Sequence, residues 1–259
     1  MLTSLQNPLV KQIRKLHRTK ERRLQQLLLV EGTHVLEAAL QADRPLVTLC
    51  HTVAWQSKYP QLYAQAQQVA QRVELVSEDV LRAIATTVEP DGVVATMERT
   101  ATPIPSFTTL GLVLETIQDP GNLGTMIRTT AAAGAEGILL SGDSVDFDHP
   151  KVLRASAGQW FQLPMTATSD LKADLCHYQA QGMQVIATLP TAQLTYWQVD
   201  LRQPTLILMG NEGAGVSSEL AAIANHHVTI PLNPGVESLN VAIAAALILY
   251  EAKRQRTQA

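Results

Sequence analysis

The chain has 259 residues, a length that predicts one large or two small globular domains. Of these residues 46% are hydrophobic and 17% charged, a composition that excludes a disordered protein. No stretch is apolar over the length of a membrane span, so we expect a cytoplasmic protein without a membrane partner. Cys50 and Cys176 lack the paired spacing of zinc sites or disulfide frameworks, and we expect no bound metal.

A basic segment near the N-terminus carries charge out of proportion to the rest of the chain. Between Lys11 and Arg23 there are seven Lys and Arg residues and one acidic residue, a local charge of +6 in a protein whose net charge is −3. Apolar residues recur there at helical spacing, which predicts one amphipathic helix with its basic side chains in water. A solvated surface would explain the pattern, but so dense a cluster also suits a polyanion such as RNA. The residues expected to contact phosphates are Lys11, Arg14, Lys15, Arg18 and Arg22.

Strand-like and helix-like segments alternate after the basic segment. The apolar runs LLLVEG, PLVTLC, VELV and GVVATM are separated by the helical pattern of THVLEAALQA, a Gln/Ala-rich segment near 61–71 and a helix with Ser77 as its cap. Residues 1–98 are therefore expected to form a small α/β domain. The segment 99–109, with two prolines and four threonines, predicts a linker to a second domain at 110–259.

Short, continuously apolar strands recur in the second domain. They are LGLVLETI, GILLSG, MQVIATL, TLILMG and HHVTIPL, and helical segments separate them. This pattern predicts a parallel sheet that is covered on both faces. Because ligands of such sheets bind at the carboxyl ends of the strands, the polar residues that follow these strands are the candidate site residues.

Two strand ends carry polar residues of unusual type. In ETIQDPGNLGTMIRTT, Asn122 is expected to cap a helix, and Arg128 lies in a small-residue helix where a guanidinium needs a carboxylate or phosphate partner. In LILMGNEGAG, glycines flank Asn211 and Glu212 and would let a ligand approach the backbone closely. This second loop has neither the Walker lysine nor the dinucleotide fingerprint, and by itself it identifies no ligand.

The third strand end is the segment IPLNPGVESLNVAIAAALILYE, from Ile230 to Glu251. Ser238 can cap a helix that begins near Leu239, and the helix is apolar all round, which predicts a core helix too short to cross a bilayer. Capping by Ser238 does not explain Asn240, an amide that is unfavourable to bury without a partner. The residues alone leave the role of Asn240 open.

In this order the three blocks resemble the three motifs of the SpoU family of RNA ribose 2′-O-methyltransferases, a branch of the SPOUT superfamily. Asn122 and Arg128 match the first motif, 211–213 matches the family's N-E-G, and 238–241 matches its S-L-N-V. The segment LRASAG at 153–158 also looks like a recurring family segment. The resemblance covers roughly residues 112–251. Residues 1–98 resemble, more loosely, the small substrate-binding α/β domain of many members.

The resemblance implies an α/β protein in which the parallel-sheet catalytic domain ends in a deep trefoil knot and a small α/β domain precedes it. It also implies a homodimer and an S-adenosyl-L-methionine cofactor that is held mainly by backbone groups after the last strands. The residues expected at the cofactor are Leu208, Met209, Gly210, Asn211, Gly213, Ile230, Leu232, Ser238, Leu239 and Asn240. Lys151 and Arg154 are expected to contact RNA beside this pocket.

The implied reaction is methyl transfer from a sulfonium to a ribose 2′-hydroxyl of RNA, with ribosomal RNA favoured over transfer RNA. The residues expected to act in catalysis are Asn122, Arg128, Glu212, Ser238 and Asn240. A guanidinium is a poor base, so Arg128 is expected to bind the adjacent phosphate and stabilise developing alkoxide. A non-catalytic RNA-binding or ribosome-assembly factor is the alternative, but it would be expected to have lost Arg128 or Asn240. A dinucleotide-dependent enzyme would need the fingerprint that is missing here.

Overall fold

The computed structural model describes residues 1–100 and 105–258. The chain divides into two compact units, of which the first is Met1–Ala101 with Asp146–Gln162 and the second is Thr102–Val145 with Leu163–Ala259. The segment Asp146–Gln162 thus packs with the first unit, although the sequence division places it in the second domain. Of the expected linker 99–109, residues 101–104 lie outside the described residues.

Helices and strands alternate along most of the described chain. The helices are α1 (Pro8–Lys15), α2 (Thr19–Gln25), α3 (Thr33–Gln41), α4 (Val53–Lys58), α5 (Pro60–Val69), α6 (Glu78–Ile84), α7 (Pro120–Ala133), α8 (Pro150–Ala155), α9 (Leu171–Ala180), α10 (Ser218–Ile223) and α11 (Val241–Thr257). The strands are β1 (Leu27–Glu31), β2 (Leu46–His51), β3 (Ala70–Leu75), β4 (Val93–Glu98), β5 (Leu110–Leu114), β6 (Ile138–Ser141), β7 (Met165–Thr168), β8 (Gln184–Thr188), β9 (Leu194–Thr195), β10 (Thr205–Met209) and β11 (His226–Thr229).

The first unit is built on a mixed sheet with the strand order β1-β4-β2-β3. β4 runs antiparallel to both β1 and β2, and β2 runs parallel to β3. Helices α1 and α6 pack on this sheet through a shared apolar cluster that includes Val10, Ile13 and Leu81. The small α/β domain expected from the sequence is therefore present.

The basic segment forms two helices where the sequence predicts one. Helix α1 ends at Lys15, and α2 begins at Thr19 after a short turn. The side chain of Arg22 reaches back from α2 and donates to the carbonyl oxygens of Leu16 (2.9 Å) and His17 (3.2 Å). These hydrogen bonds satisfy carbonyls at the end of α1 that the helix itself leaves unpaired.

Arg22 is a structural residue of the first unit. Its side chain is 0% exposed and forms an ion pair with Asp146 at 2.7 Å, in addition to a hydrogen bond to Thr19 Oγ1. A fully buried guanidinium cannot reach a phosphate at the surface, so the expected RNA contact of Arg22 is wrong. The periodicity of the sequence could not indicate this, because the turn between α1 and α2 depends on that burial.

Arg22→Ala should lower the free energy of unfolding by about 3–5 kcal/mol, because it leaves the largely buried carboxylate of Asp146 without its cation. Urea unfolding followed by circular dichroism would measure the change. The matched control is Arg18→Ala, which removes an exposed arginine from the same segment and should change stability by less than about 0.5 kcal/mol. Equal stabilities of the two variants would contradict the structural role of Arg22.

The second unit is built on a parallel sheet with the strand order β7-β6-β5-β10-β8-β11-β9. All strand pairs in this sheet are parallel, which confirms the parallel sheet expected from the sequence. β10 lies between β5 and β8, with Leu208 opposite Val113 on one side and Ala187 on the other. The strands β7 and β9 at the two edges are short and were not expected.

Part of the expected linker belongs to the second unit. Phe107 is 3% exposed within an apolar cluster of this unit, and its ring makes an edge contact with Tyr178. The backbone N–H and hydroxyl of Thr108 donate to the carboxylate of Glu136 at 2.7 and 2.6 Å. Phe107 and Thr108 are therefore held on the second unit by these contacts.

Helix α11 differs from its prediction at both its start and its surface. Asn240, and not Ser238, is the N-cap, since Asn240 Oδ1 accepts the backbone N–H groups of Ala242 (3.0 Å) and Ile243 (3.3 Å). The helix is also not buried all round, because Ile243, Leu247 and Tyr250 are 51%, 37% and 50% exposed. One apolar face of α11 is thus open to solvent in the single chain.

Candidate active site

The sheet order brings the three polar strand ends together. The first motif follows β5 and the second follows β10, and these two strands are neighbours. The third motif follows β11, which is separated from β10 only by β8. The end of β8, at Thr188, therefore opens onto the same edge of the sheet, and Thr188 Oγ1 contacts the sulfur of Met209 at 3.3 Å. The sequence did not single out Thr188, since the position of β8 within the sheet cannot be read from strand patterns.

One residue from each motif joins a continuous chain of hydrogen bonds. Asn240 Nδ2 donates to Asn122 Oδ1 at 2.9 Å, and Asn122 Nδ2 donates to Glu212 Oε1 at 3.1 Å. The N-cap role of Asn240 fixes the orientation of its amide, because its oxygen is already used by the first turn of α11. Residues that are 118 and 90 positions apart in sequence thus meet at one point.

Glu212 anchors the loop that carries Asn122. Its carboxylate accepts the backbone N–H of Gln118 (3.2 Å) and of Asp119 (3.1 Å) in addition to the amide of Asn122. Burial acts to raise the pKa of Glu212, but the hydrogen bonds from Asn122 and the backbone outweigh it, and the pKa is lowered. An ionised carboxylate with this many donors is a positioning group and a weak base.

Asp119 caps α7, where the sequence predicts Asn122. The carboxylate of Asp119 accepts the N–H groups of Gly121 and Asn122 at 2.6 and 3.0 Å, and Pro120 occupies the first helical position. The side chain of Asn122 is consequently free of the capping role. It lies in the first turn and points to Glu212 and Asn240.

The side chain of Asn211 fixes the conformation of the loop after β10 through hydrogen bonds. Asn211 Oδ1 accepts the N–H groups of Gly213 and Ala214, both at 2.9 Å, and Asn211 Nδ2 donates to the carbonyl of Thr116 at 2.8 Å. The backbones of Asn211 and Gly215 also pair with each other. A Cβ atom at Gly210 would lie 2.0 Å from the carbonyl carbon of Gly215, so this close approach requires a glycine.

A polar cluster after β6 supports the first motif and was not indicated by the sequence. Thr116 has the left-handed φ of 55°, and its N–H donates to Ser141 Oγ at 2.7 Å while its hydroxyl donates to Asp143 at 2.9 Å. The N–H of Ile117 donates to Ser144 Oγ at 3.1 Å. The hydrogen bonds from Ser141 and Thr116 lower the pKa of Asp143. Only the position of β6 beside β5 makes these residues neighbours.

Arg128 and Ser238 do not join this hydrogen-bond chain. Both are exposed, and within residues 1–100 and 105–258 neither side chain makes a hydrogen bond or ion pair. Arg128 is six residues beyond Asn122 on α7, which places the two side chains about 120° apart around the helix. Arg128 therefore presents an unpaired cation from a different face of α7.

The other expected cofactor residues lie along the same edge. Met209 and Gly210 end β10 and are buried, while Leu208 lies deeper in the strand and is also fully buried. Ile230 is half-buried, Gly213 is exposed, and the whole segment 231–240 is exposed, including Leu232 and Leu239. Within this described segment, the backbone N–H of Val236 donates to the carbonyl of Asn233.

The expected RNA-contacting residues fall into two groups. Lys11, Arg14, Lys15 and Arg18 line an open cavity of about 420 Å³ together with His17. The guanidinium of Arg154 pairs with the buried carboxylate of Glu31 and donates to Thr86 Oγ1 at 3.0 Å, and its side chain is 25% exposed. Its expected contact with RNA stays a prediction.

Lys151, the last of the expected RNA-contacting residues, is exposed at the start of α8.

Over the described ranges, no helix is long and apolar enough to cross a membrane. Among the described residues, no group of three or more His, Cys, Asp or Glu side chains could hold a metal ion.

At the carboxyl edge of the parallel sheet, Asn122, Glu212 and Asn240 from the three motifs that resemble those of the SpoU family lie together, and comparison with known proteins agrees with that class. Residues 109–250 match the model of the SpoU rRNA Methylase family, and residues 7–95 match the MRM3-like substrate binding domain. The chain belongs to the SpoU rRNA methylase family, whose activity is RNA 2′-O-methylation.

Relatives match over nearly the whole chain. An uncharacterized tRNA/rRNA methyltransferase of Synechocystis, slr1673, is 49% identical over 98% of this chain and 94% of its own length. The 23S rRNA (guanosine(2553)-2′-O)-methyltransferase RlmP of Bacillus subtilis is 31% identical, with 96% and 97% covered. The crystal structure of an AdoMet-bound rRNA methyltransferase from Sinorhizobium meliloti superposes with a TM-score of 0.85 at 34% identity, over 98% of this chain and 97% of that one.

Proposed function

We propose that the protein transfers a methyl group from S-adenosyl-L-methionine to the 2′-hydroxyl of one ribose in ribosomal RNA, in the cytoplasm. The observation that carries this proposal is the hydrogen-bond chain from Asn240 through Asn122 to Glu212, which unites the three motifs at one edge of the sheet. The name of RlmP, a 23S rRNA 2′-O-methyltransferase that matches over nearly the whole chain, supports ribosomal RNA as the substrate.

The residues at this edge fit the cofactor. The segment 231–240 offers exposed backbone N–H and C=O groups, which can pair with the polar edge of an adenine. The exposed side chains of Leu232, Val236 and Leu239 can cover apolar parts of the ligand. When bound, the cofactor supplies an electrophilic methyl group on a sulfonium. We also propose that the chain forms the deep trefoil knot here, as the family resemblance implies.

The motif residues position the acceptor ribose. Each amide NH₂ of Asn122 and Asn240 has a second hydrogen that can be donated to a ribose oxygen, and the chain of hydrogen bonds fixes the direction of both amides. Arg128, an exposed cation, binds the adjacent phosphate and stabilises the negative charge that develops on the 2′-oxygen. Ser238, exposed near the start of α11, completes the pocket. Glu212 holds Asn122 in place and stays ionised.

The direct test is incubation of the protein with ribosomal RNA and S-adenosyl-L-methionine labelled in the methyl group. We expect label in RNA, recovered after nuclease digestion as a 2′-O-methylated nucleotide that resists alkaline cleavage. Calorimetry should also detect binding of the cofactor without RNA. A protein that neither binds the cofactor nor labels RNA would refute the proposed function.

We also propose that the protein is a homodimer that buries the exposed face of α11. Ile243, Leu247 and Tyr250 form an apolar stripe at helical spacing on that face, and α11 packs against α7. Contiguous apolar surface of this kind marks interaction sites more often than isolated exposed residues do. The same pair of helices carries Asn122, Arg128 and Asn240, so a dimer through this face would place two sites near the interface.

Leu247→Glu should convert the dimer to a monomer, because it introduces a charge at the centre of the apolar stripe. Light scattering coupled to size-exclusion chromatography would measure the mass. The matched control is Leu24→Glu, which changes a leucine that is 73% exposed in the other unit and should leave the mass unchanged. A wild-type protein that is monomeric at all concentrations would remove the dimer proposal.

The basic cluster of Lys11, Arg14, Lys15 and Arg18 is the proposed phosphate-binding surface of the first unit. Replacing all four by Gln should weaken RNA affinity and lower the log–log salt slope by up to roughly three, since each phosphate contact adds about 0.7–0.9. Fluorescence anisotropy at several salt concentrations would measure both quantities.

The control for this surface replaces Lys58 and Arg82, two exposed basic residues of the same unit outside the cluster, by Gln. These changes should leave the slope nearly unchanged. An unchanged slope in the fourfold variant would show that the basic cluster is only a solvated surface. Cofactor affinity should be the same in all variants, because the cluster lies outside the second unit.

A further inference from the structure

The first unit contains a cavity of about 240 Å³ beside the start of α3. Its walls include Thr33 and Val35 of α3, together with Glu89, Pro90, Asp91 and Val93 from the segment that leads into β4. These wall residues all fall within the range that matches a substrate-binding domain. The cavity is smaller than the ~300–1,000 Å³ that is typical of pockets for drug-sized ligands, and its size suits a single planar ring system.

The walls of this cavity are held in place by hydrogen bonds within the unit. Asp91 accepts the N–H of Thr33 at 2.8 Å and its hydroxyl at 2.6 Å, and Trp55 Nε1 donates to the same hydroxyl at 2.9 Å. Glu31 accepts the backbone N–H of Thr86 and pairs with Arg154. The polar groups of Thr33, Asp91 and Glu31 therefore already have partners.

Glu89 is different from the other acidic residues of the cavity. It is exposed, and among the described residues no hydrogen bond or ion pair involves its carboxylate. The apolar side chains of Val35 and Val93, which are 4% and 1% exposed, lie in the same wall. The ring of His34, whose side chain is 96% exposed, also lines the cavity. The cavity thus combines apolar surface, one exposed aromatic ring, the guanidinium of Arg154 that is paired with Glu31, and one carboxylate that can accept hydrogen bonds.

We propose that this cavity receives one unpaired guanine base of the RNA substrate, with the Glu89 carboxylate accepting the guanine N1–H and N2–H. A carboxylate is an acceptor-only group with two oxygens, and guanine presents two adjacent N–H donors on its Watson–Crick edge. Uracil presents a single N–H between two carbonyl oxygens, which the carboxylate repels. Proteins read RNA sequence mainly through unpaired bases, on their Watson–Crick edges and by stacking on rings such as that of His34.

This inference rests on the proposed function for its ligand, since it takes RNA as the substrate. It assigns Glu89 and His34 to base recognition, whereas Lys11, Arg14, Lys15 and Arg18 contact phosphates without regard to sequence. The two surfaces predict different effects of mutation. Loss of the basic cluster weakens binding of every RNA, and loss of Glu89 changes which RNA is preferred.

Four fluorescein-labelled RNA hairpins with the same stem and a one-nucleotide bulge of G, A, C or U test the proposal. We expect the wild-type protein to bind the G bulge about tenfold more tightly than the U bulge, the discrimination of a good bidentate contact. Glu89→Gln should reduce this ratio to about twofold or less, because the glutamine amide replaces one acceptor by a donor. Glu98→Gln removes the same charge from the other end of β4 and should keep the wild-type ratio.

Equal affinities for the four hairpins, or a G preference that persists in Glu89→Gln, would overturn the base-pocket inference. A preference that is lost equally in Glu98→Gln would also overturn it, since the effect would then be one of net charge. Methyl transfer to ribosomal RNA by the same wild-type preparation separates this inference from the proposed function. Active protein without a G preference refutes only the base pocket, whereas a G preference without methyl transfer supports the pocket and refutes the proposed activity.

Discussion

Arg128→Ala should lower the rate of methyl transfer by about 10²–10³ and leave the affinity for S-adenosyl-L-methionine close to that of the wild type. The expected loss follows from the position of Arg128, an exposed cation on the helix that also carries Asn122 and without a partner in the described parts of the chain. Such a cation is available to pair with a phosphate and with negative charge that develops on the RNA. Single-turnover kinetics with saturating cofactor would measure the rate, and calorimetry the affinity.

The matched control is Arg202→Ala. Arg202 is an exposed arginine of the same unit, and its guanidinium is engaged with Asp200. Its removal should leave the rate of methyl transfer unchanged. If Arg128→Ala retained the wild-type rate, Arg128 would have no part in catalysis. A loss of cofactor affinity in Arg128→Ala would instead assign the guanidinium to the cofactor.

Glu212→Gln should reduce methyl transfer by roughly 10²-fold, the effect expected when a positioned group is displaced by about 1 Å. Glutamine replaces one carboxylate oxygen by an NH₂ group, which would meet the N–H of Gln118 in either orientation of the amide and the donors of Asp119 and Asn122 in one of them. The loop from 118 to 122 would then lose its anchor, and Asn122 its orientation. Glu219→Gln, at an exposed acid paired with Lys172, is the control and should keep full activity.

The lowered pKa of Glu212 gives this anchor a defined pH dependence. The pKa of Glu212 is lower in the folded than in the unfolded state. The stability that the ionised carboxylate gives to the folded state is therefore fully present above the ordinary carboxyl pKa and is lost as the pH falls through the folded-state pKa. The pH profile of the wild-type rate should therefore show no ionisation of Glu212 near neutral pH. Full activity of Glu212→Gln would contradict both the anchoring role and the hydrogen-bond chain.

The elements that form the candidate site could be predicted because each is a local pattern. The apolar runs that became β5, β10 and β11 end directly before polar segments, and the carboxyl ends of parallel strands meet at one edge. Asn122, Glu212 and Asn240 were identified in this way and meet in the structure. Their detailed contacts depend on atoms that are 90 or more residues apart, which no local pattern encodes.

The wrong expectations have physical reasons of the same kind. Ser238 and Asn240 are both good N-cap residues, and only the backbone of the preceding loop decides that the helix starts at Val241. Asp119 and Asn122 are likewise both good N-cap residues, and Asp119 is the one that caps α7. Arg22 resembled its exposed neighbours in sequence, but its partner Asp146 is 124 residues away.

The supporting residues that the sequence did not indicate all depend on sheet order or on long-range packing. Ser141, Asp143 and Ser144 matter because β6 lies next to β5, and Thr188 matters because β8 lies between β10 and β11. The segment Asp146–Gln162 gave no compositional sign that it packs with the first unit. A short segment such as this one, with a polar turn and the six-residue helix α8, shows little periodicity, so its packing partners become known only from the fold.

The measurement that tests the central claim most directly is a map of 2′-O-methylation over the ribosomal RNA of cells with and without the gene. Loss of the methyl group from one ribose, and its restoration by the wild-type gene but not by the Arg128→Ala variant, is the predicted result. An unchanged 2′-O-methylation map after loss of the gene would contradict this claim. Loss of a methyl group from a base instead of a ribose would contradict it as well.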